Sequence, residues 1–281
     1  GRTVVLFEKG SAGGQMGITS TIENYPGFES VDGFTLAVKM ESQARSAGTE
    51  IISAEVTSVT DDGRTKTVRT SDGEYEADAL IIATGASPRK LGVAGEEEYT
   101  GRGVSYCATC DGGFFRKKTV VVNGGGETAI EDALYLSNIC ENVVLVHRRE
   151  EFRASKYSVD KVKARENVTL KLGAVIGEII GDGKRVSGVR LKYTDGREET
   201  VDCAGVFIAV GRVPETGLFR DTVECDGGGY IIAGEDTKTS RDGVFAAGDV
   251  RTKALRQIVT AASDGAIAAR SAEEWLNKIK K

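Results

Sequence analysis

Short apolar runs alternate with helical patterns in the middle of the chain. Residues 119–122 form a β-branched run, residues 130–136 follow with a helical pattern, and residues 143–146 form a second apolar run. Continuous apolar runs of this length are typical of strands that are buried in a parallel sheet. Because these strands alternate with helices, the pattern predicts an α/β fold.

The turn after the first run carries a dinucleotide-binding fingerprint. Gly124, Gly126 and Ala129 occupy the three small-residue positions of the G-x-G-x-x-G/A pattern. The first glycine permits the turn, the second lets the backbone approach a pyrophosphate, and the third small residue lets helix pack on strand. The N-terminus of the following helix offers unpaired N–H groups to the phosphates. The strand before the pattern and the helix after it make a nucleotide site the favoured interpretation.

Arginines follow the second run, where an NAD site would place an acid about 20 residues after its fingerprint. The chain has Arg148, Arg149 and Arg153 there. A guanidinium binds a 2′-phosphate through charge-assisted, often bidentate hydrogen bonds. The arginines therefore favour NADPH, and a solvated charged face is the alternative.

The N-terminal residues predict part of a second nucleotide site. Residues 3–7 form an apolar run that ends at Glu8, the acid that a Rossmann unit places on an adenosine ribose. The matching glycine fingerprint, expected about 20 residues upstream, does not occur in the sequence. We therefore expect the sequence to begin inside a βαβ unit, without its first strand and helix. An ordinary edge strand is the alternative.

Further apolar runs also end in glycine turns. Residues 79–86 and 205–211 resemble each other and indicate two related dinucleotide-binding halves. Residues 243–250 form another run, in which Asp249 could bind the hydroxyls of a ribityl chain, although a plain turn residue is the alternative. Residues 260–275 are alanine-rich with helical spacing and predict a helix that packs on the sheet.

Composition narrows the class of protein. The chain has 281 residues, a net charge of −5 and an apolar fraction of 40%, which suggests about two domains and no nucleic-acid partner. No apolar run reaches the roughly 18–20 residues of a membrane span, and no signal-peptide pattern occurs. Five cysteines do not form a secreted disulfide framework. We therefore expect a cytoplasmic location and no membrane partner.

The sequence Cys107-Ala-Thr-Cys110-Asp111 carries the candidate chemistry. Two thiols at this spacing can close a small disulfide, and a thiol at the first turn of a helix is activated. Half of a zinc site is the alternative, but zinc needs about four ligands, the only histidine is His147, and the other cysteines are scattered. The ligand count favours a redox pair and no metal. Asp111 is a candidate acid/base, or a helix N-cap.

With these motifs together, the chain resembles the low-molecular-weight, bacterial-type thioredoxin reductases over essentially all of its length, apart from the missing N-terminal glycine motif. The discriminating motif is the Cys107–Cys110 sequence inside the pyridine-nucleotide region. The other matching motifs are residues 13–15, 23–27, 83–85, 124–129, 147–149, 152–153, 248–250 and 256–257.

The resemblance implies two Rossmann-like domains of the three-layer ββα type. An NADPH-binding domain, residues 88–214, would be inserted into an FAD-binding domain made of residues 1–87 and 215–281. The residues implied to bind FAD are Glu8, Gly14, Gln15, Asn24, Thr84, Gly85, Gly248, Asp249, Arg256, Gln257 and Ile258. The residues implied to bind NADPH are Gly124, Gly126, Thr128, Ala129, His147, Arg148, Arg149 and Arg153.

The resemblance also implies a reaction. Electrons would pass from NADPH through FAD to the disulfide of Cys107 and Cys110, with Asp111 as the acid/base and a thioredoxin-like protein as substrate. A homodimer is expected. A related flavin disulfide reductase with another donor or partner is one alternative, although the arginines favour NADPH. A non-catalytic nucleotide-binding fragment is the other.

Overall fold

The computed structural model describes residues 2–19 and 22–279. The chain divides into two compact units. The outer unit consists of Gly1–Ile18, Ile22–Ser87 and Arg212–Lys281, and the inserted unit consists of Thr19–Thr21 and Pro88–Gly211. Each unit is described by itself.

The first part of the outer unit contains one α-helix and several short strands. The helix α1, Gly33–Ser46, begins after Asp32, whose carboxylate accepts a 2.8 Å hydrogen bond from the Thr35 amide. The strands of this part of the chain are β1 (Val5–Glu8), β2 (Glu50–Ser53), β3 (Val56–Asp61), β4 (Lys66–Thr70), β5 (Glu74–Ala77), β6 (Leu80–Ile82) and β7 (Ala86–Pro88). Strands β1 and β2 pair in parallel, and β3, β4 and β5 form an antiparallel sheet.

The described residues of the inserted unit form eight strands and three α-helices. Its strands are β8 (Val104–Ser105), β9 (Thr119–Asn123), β10 (Asn142–His147), β11 (Val168–Leu172), β12 (Ala174–Gly181), β13 (Val186–Tyr193), β14 (Glu198–Asp202) and β15 (Gly205–Ile208). Its helices are α2 (Ala108–Asp111), α3 (Glu127–Ser137) and α4 (Lys156–Lys163). A five-stranded parallel sheet has the order β11-β10-β9-β15-β8, and β12, β13 and β14 form an antiparallel sheet. The predicted strands at residues 119–122 and 143–146 are confirmed.

The alternation of side chains along β9 separates two cores in the inserted unit. Val121 packs with residues of β12 and β13, including Ile176 and Val189. Val120 and Val122 pack on the other face, where α3 contributes Ile130 and Leu136 among others. Because both faces of the parallel sheet are covered, its central strands are apolar throughout. The arrangement is the predicted three-layer ββα type.

The chain returns to the outer unit through β16 (Arg212–Pro214), which pairs with β7. Strand β17 (Val244–Ala246) pairs in parallel with β6, and α5 (Ile258–Ile279) packs Ala268 and Ala272 on the apolar side chains beside β17. The helix predicted from residues 260–275 is confirmed and is longer at both ends. In the run of residues 79–86, β6 ends at Ile82, and the glycine turn that follows contains Gly85 with a φ of +74°, which lies outside the extended region.

No helix within residues 2–19 and 22–279 is both long enough and apolar enough to cross a membrane.

Candidate functional site

The cysteine pair lies at the start of α2, directly after β8. Cys107 has an extended backbone and is the N-cap of this helix, and its sulfur accepts a 3.2 Å hydrogen bond from the Cys110 amide. The two residues form a disulfide with a Cα–Cα distance of 5.3 Å. A hydrogen bond to sulfur favours the thiolate form of Cys107 once the disulfide is reduced. Among the described residues, no group of three or more histidine, cysteine or acidic side chains is arranged to hold a metal ion.

Asp111 is half-buried beside this pair. Its Oδ2 atom accepts a 2.7 Å hydrogen bond from the Ser105 hydroxyl, which in turn accepts a 3.1 Å hydrogen bond from the Cys107 amide. Burial raises the pKa of the Asp111 carboxyl, and the Ser105 hydrogen bond lowers it. Asp111 occupies the N-cap position of the short 3-10 helix Gly112–Phe115, but its side chain makes no capping hydrogen bond there, and Cys107 caps α2.

A buried acid orients the segment before the cysteine pair. The Glu96 carboxylate is 2% exposed and accepts hydrogen bonds from the Leu91 amide (2.9 Å), the Gly92 amide (2.7 Å) and the Tyr106 hydroxyl (2.9 Å). Burial, followed by the bond to Glu96, raises the pKa of Tyr106 to about 12. Tyr106 therefore stays protonated and ties the residue before Cys107 to the start of the inserted unit.

The glycine turn after β9 fits a dinucleotide. A Cβ on Gly124 would lie 2.4 Å from the Ala209 carbonyl oxygen and 2.6 Å from Ala129 Cβ, so only glycine allows this packing. Gly126 is the N-cap of α3, and no described heavy atom lies within 4 Å of where its Cβ would be. Thr128 lies exposed in the first turn of α3. Close packing below the turn and open space above it suit a pyrophosphate at the helix N-terminus.

His147 supports this turn from the end of β10. A Cβ on Gly125 would lie 2.1 Å from His147 Cε1, and the imidazole stacks on Phe152 with ring centroids 5.4 Å apart. Burial lowers the pKa of His147, and the charges of the neighbouring arginines lower it further. The structure therefore places a neutral, buried imidazole directly beneath the glycine turn.

Arg148, Arg149 and Arg153 are exposed beside His147. The Arg153 amide donates a 2.8 Å hydrogen bond to the Gly125 carbonyl, which ties this segment to the turn. None of the three guanidinium groups forms an ion pair with an acid among residues 2–19 and 22–279. Three uncompensated guanidinium groups fit the 2′-phosphate of NADPH.

The outer unit brings several residues of the predicted FAD site together. The Asp249 carboxylate lies 2.9 Å from Arg212 Nη1, and Arg212 Nη2 donates a 3.1 Å hydrogen bond to Gln15. The Gln15 amide group also donates to the Ala86 carbonyl. Arg212 was not predicted as a site residue, since its partners are distant in the sequence.

A second group of predicted residues meets at the start of α5. Asn24 donates a 3.1 Å hydrogen bond to Gln257, and Ile258 is the first residue of the helix. Arg256 donates to the Asp249 carbonyl at 3.4 Å and stacks on Tyr230. Arg256 thus links this group to the turn that carries Asp249.

The remaining predicted FAD residues lie elsewhere in the outer unit. Glu8 ends β1 and accepts a 2.8 Å hydrogen bond from the Gly10 amide, and Thr84 donates a 2.6 Å hydrogen bond to the Glu215 carbonyl. Gly14 and Gly85 have φ values of +49° and +74°, and no described heavy atom lies within 4 Å of where a Cβ on either residue would be. Open glycine turns beside amide and carboxylate groups suit a hydroxyl-rich, phosphate-bearing ligand such as FAD.

Comparison with known proteins gives the family. The sequence model of the family of pyridine nucleotide-disulphide oxidoreductases matches residues 1–265. A thioredoxin reductase of Listeria monocytogenes is 46% identical over 98% of this chain and 87% of its own length, and one of Rickettsia felis is 46% identical over 98% and 90%. The crystal structure of a thioredoxin reductase from Streptococcus pyogenes superposes with a TM-score of 0.89 at 44% identity, covering 98% of this chain and 90% of that one.

The chain therefore belongs to the pyridine nucleotide-disulphide oxidoreductases and, within them, to the bacterial-type, low-molecular-weight thioredoxin reductases, enzymes that use FAD and NADPH. These findings confirm the family resemblance that the motifs indicated. They also confirm the predicted fold class, the enzyme class and the two cofactors.

Proposed function

We propose that this chain reduces the disulfide of a thioredoxin with electrons from NADPH, through the Cys107–Cys110 pair. The observation that carries the proposal is the disulfide at the N-terminus of α2, with the Asp111 carboxyl beside it. When bound, FAD and NADPH supply the two-electron transfer that reduces this disulfide.

The reduced pair exchanges its electrons with the substrate in two steps. The Cys107 thiolate attacks one sulfur of the substrate disulfide, which forms a mixed disulfide and releases the other substrate sulfur as a thiolate. Cys110 then attacks Cys107, which restores the Cys107–Cys110 bond and releases the reduced substrate. The amide hydrogen bond to the Cys107 sulfur supports its assignment as the attacking thiolate.

Asp111 exchanges protons with these sulfurs. The released substrate thiolate needs a proton, and Cys110 must lose one before it attacks. A carboxyl beside the two sulfurs can take a proton from one and return it to another during the exchange. The burial of Asp111 supports this role, because burial raises its pKa.

We assign the inserted unit to NADPH and the outer unit to FAD, following the predicted domains of residues 88–214 and residues 1–87 with 215–281. Gly124, Gly126, Thr128 and Ala129 would bind the pyrophosphate end of NADPH, and Arg148, Arg149 and Arg153 its 2′-phosphate. His147 would hold the glycine turn from below. The packing of Gly124 and the exposure of the arginines support this assignment.

The outer unit would hold FAD through the residues predicted from the sequence. Asp249 would bind the ribityl hydroxyls, and the group at the start of α5 would line the flavin ring. The other residues assigned to FAD are Glu8, Gly14, Gln15, Asn24, Thr84, Gly85 and Gly248. The contacts of Arg256 and Arg212 with the Asp249 turn support one continuous site.

A homodimer in the cytoplasm is also proposed. Helix α1 leaves Phe34 and Val38 65% and 48% exposed one turn apart, and exposed apolar patches of this kind mark association surfaces. The free thiols Cys140, Cys203 and Cys225 are consistent with a reducing compartment. Light scattering tests the dimer: a monomer mass at micromolar concentration would contradict it.

The test of the function separates thiol chemistry from flavin reduction. We expect Cys107→Ser and Cys110→Ser each to abolish NADPH-dependent reduction of thioredoxin and to retain NADPH-dependent reduction of a small flavin oxidant. Cys225→Ser is the matched control, because Cys225 is free and lies outside the pair. Substantial thioredoxin reduction by either pair variant would contradict the assignment.

A further inference from the structure

A buried cluster of charges lies behind the turn that carries Asp249. Asp264 is 4% exposed in α5, and its Oδ2 atom accepts hydrogen bonds from Arg251 Nε (2.8 Å), Lys253 Nζ (2.8 Å) and the Gly248 amide (2.9 Å). Its Oδ1 atom accepts a further 2.8 Å bond from Arg251 Nη2. We call these four residues the Asp264 cluster.

The Asp264 carboxylate is fully satisfied and ionised. Burial alone would raise its pKa, but the bonds from Arg251, Lys253 and the Gly248 amide lower it to about 2. Replacing a buried ion cluster by apolar residues often leaves a protein equally stable or more stable. Beyond its contribution to stability, the cluster therefore imposes a geometry on the backbone that it contacts.

The Asp264 cluster contacts the backbone of the turn Gly248–Val250. Gly248 has a φ of +77°, and its amide points at Asp264. On the other side of the turn, Arg256 donates to the carbonyls of Asp249 and Arg251. The backbone around Asp249 is thus held by a carboxylate from one side and by a guanidinium from the other.

We propose that Asp264 is a positioning residue for FAD: it fixes the backbone of Gly248 and Asp249 so that the Asp249 side chain is presented to the ribityl chain. This inference rests on the proposed role of Asp249 in FAD binding. Without the Asp264 carboxylate, the Gly248 amide loses its acceptor, the turn is no longer fixed, and FAD must order it on binding, which weakens affinity.

The chain offers a matched control in Asp61. Its side chain is 2% exposed in the same outer unit and also pairs with two cations, Arg241 at 2.6 Å and Lys66 at 3.8 Å. Its backbone contact is with the Gly63 amide, in a surface turn after β3. Asp61→Asn therefore disrupts a buried acid of similar surroundings without touching the turn of Asp249.

The experiment measures FAD affinity and stability separately. Wild type, Asp264→Asn, Asp61→Asn and Asp249→Ala are stripped of FAD and titrated with it by flavin fluorescence, and their thermal unfolding is recorded without FAD. We expect Asp264→Asn to raise the Kd for FAD about tenfold or more, since a hydrogen bond to a charged group is lost. Asp61→Asn should lower the unfolding temperature and leave the Kd within about twofold of wild type.

The outcomes separate the proposed FAD site at Asp249 from the proposed positioning role of Asp264. If Asp249→Ala binds FAD like wild type, the proposed FAD site is wrong. If Asp249→Ala binds weakly while Asp264→Asn binds like wild type or no worse than Asp61→Asn, only the positioning role is overturned. If Asp264→Asn does not fold, Asp264→Glu decides, because it keeps the negative charge but moves the carboxylate away from its position against the Gly248 amide. A Kd higher than that of Asp61→Asn supports the proposal, and an equal one refutes it.

Discussion

Two glycine turns of this protein are shaped by different forces. The turn after β9 in the inserted unit requires a residue without a side chain, because a Cβ on Gly124 would overlap Ala209 and Ala129. The turn after β17 in the outer unit depends on charges, because Asp264 holds the amide of Gly248. At Gly248, the single described heavy atom within 4 Å of where a Cβ would be is Ala261 Cβ, at 3.6 Å. The comparison teaches that similar strand–turn arrangements can be fixed by close packing or by buried ions.

The largest effect is expected at the arginines beside the first turn. Replacing Arg148 and Arg149 with glutamine should raise the KM for NADPH about 10- to 100-fold, because a charge-assisted phosphate contact contributes roughly 1.5–3 kcal/mol. The KM for NADH should change little, since NADH has no 2′-phosphate. Steady-state kinetics with both nucleotides measure this difference.

The control for the arginine variant is Arg165→Gln, which removes another exposed arginine of the inserted unit. It should leave both KM values unchanged. An equal rise for NADPH and NADH in the double variant would show that Arg148 and Arg149 form only a solvated face.

The two glycines of the first turn should separate packing from ligand approach. Gly124→Ala should destabilise the protein by about 1–3 kcal/mol through overpacking against the Ala209 carbonyl. Gly126→Ala should leave the thermal unfolding temperature nearly unchanged, since its φ is −94° and its surroundings are open, and should weaken NADPH binding. Calorimetry and nucleotide titration measure the two effects; the reverse pattern would contradict the proposed roles.

The smallest effect is expected on the stability of the protein at acid pH, through Asp264 behind the turn after β17. The pKa of Asp264 falls from 3.8 to about 2 on folding. A lowered pKa stabilises the fold above the unfolded value, and this stability is lost as pH falls from about 4 towards 2. Asp264→Asn should therefore lose less stability than wild type across this range in urea unfolding. A parallel pH dependence for the two proteins would mean that Asp264 is not held as an anion.

The sequence predicted the features that depend on neighbouring residues. The strand, glycine turn and helix at residues 119–136 and the cysteine pair are confirmed because their signals are local. Asp264, Arg212 and Glu96 were missed. Asp264 lies in an alanine-rich helix and Glu96 in an acidic run, and neither position differs locally from an exposed acid. Their roles arise from partners that only the fold brings near, such as the Gly248 amide and Tyr106.

Strand ends were also predicted less well than strand centres. Residues 79–86 and 205–211 are both apolar runs that end in a predicted glycine turn, and β6 ends at Ile82 and β15 at Ile208, earlier than the apolar pattern alone would indicate. Each run continues into a glycine of positive φ, Gly85 or Gly211. An apolar run shows what is buried, whereas the pairing of backbone groups decides where a strand ends.

The most direct test of the redox role is a count of thiols. The protein has five cysteines, of which Cys140, Cys203 and Cys225 are free and Cys107 and Cys110 are joined. Titration of the FAD-loaded protein under denaturing conditions should find three thiols before anaerobic reduction with NADPH and five after it. A count that stays at three after NADPH, although the flavin is bleached, would contradict the central claim that electrons pass to Cys107 and Cys110.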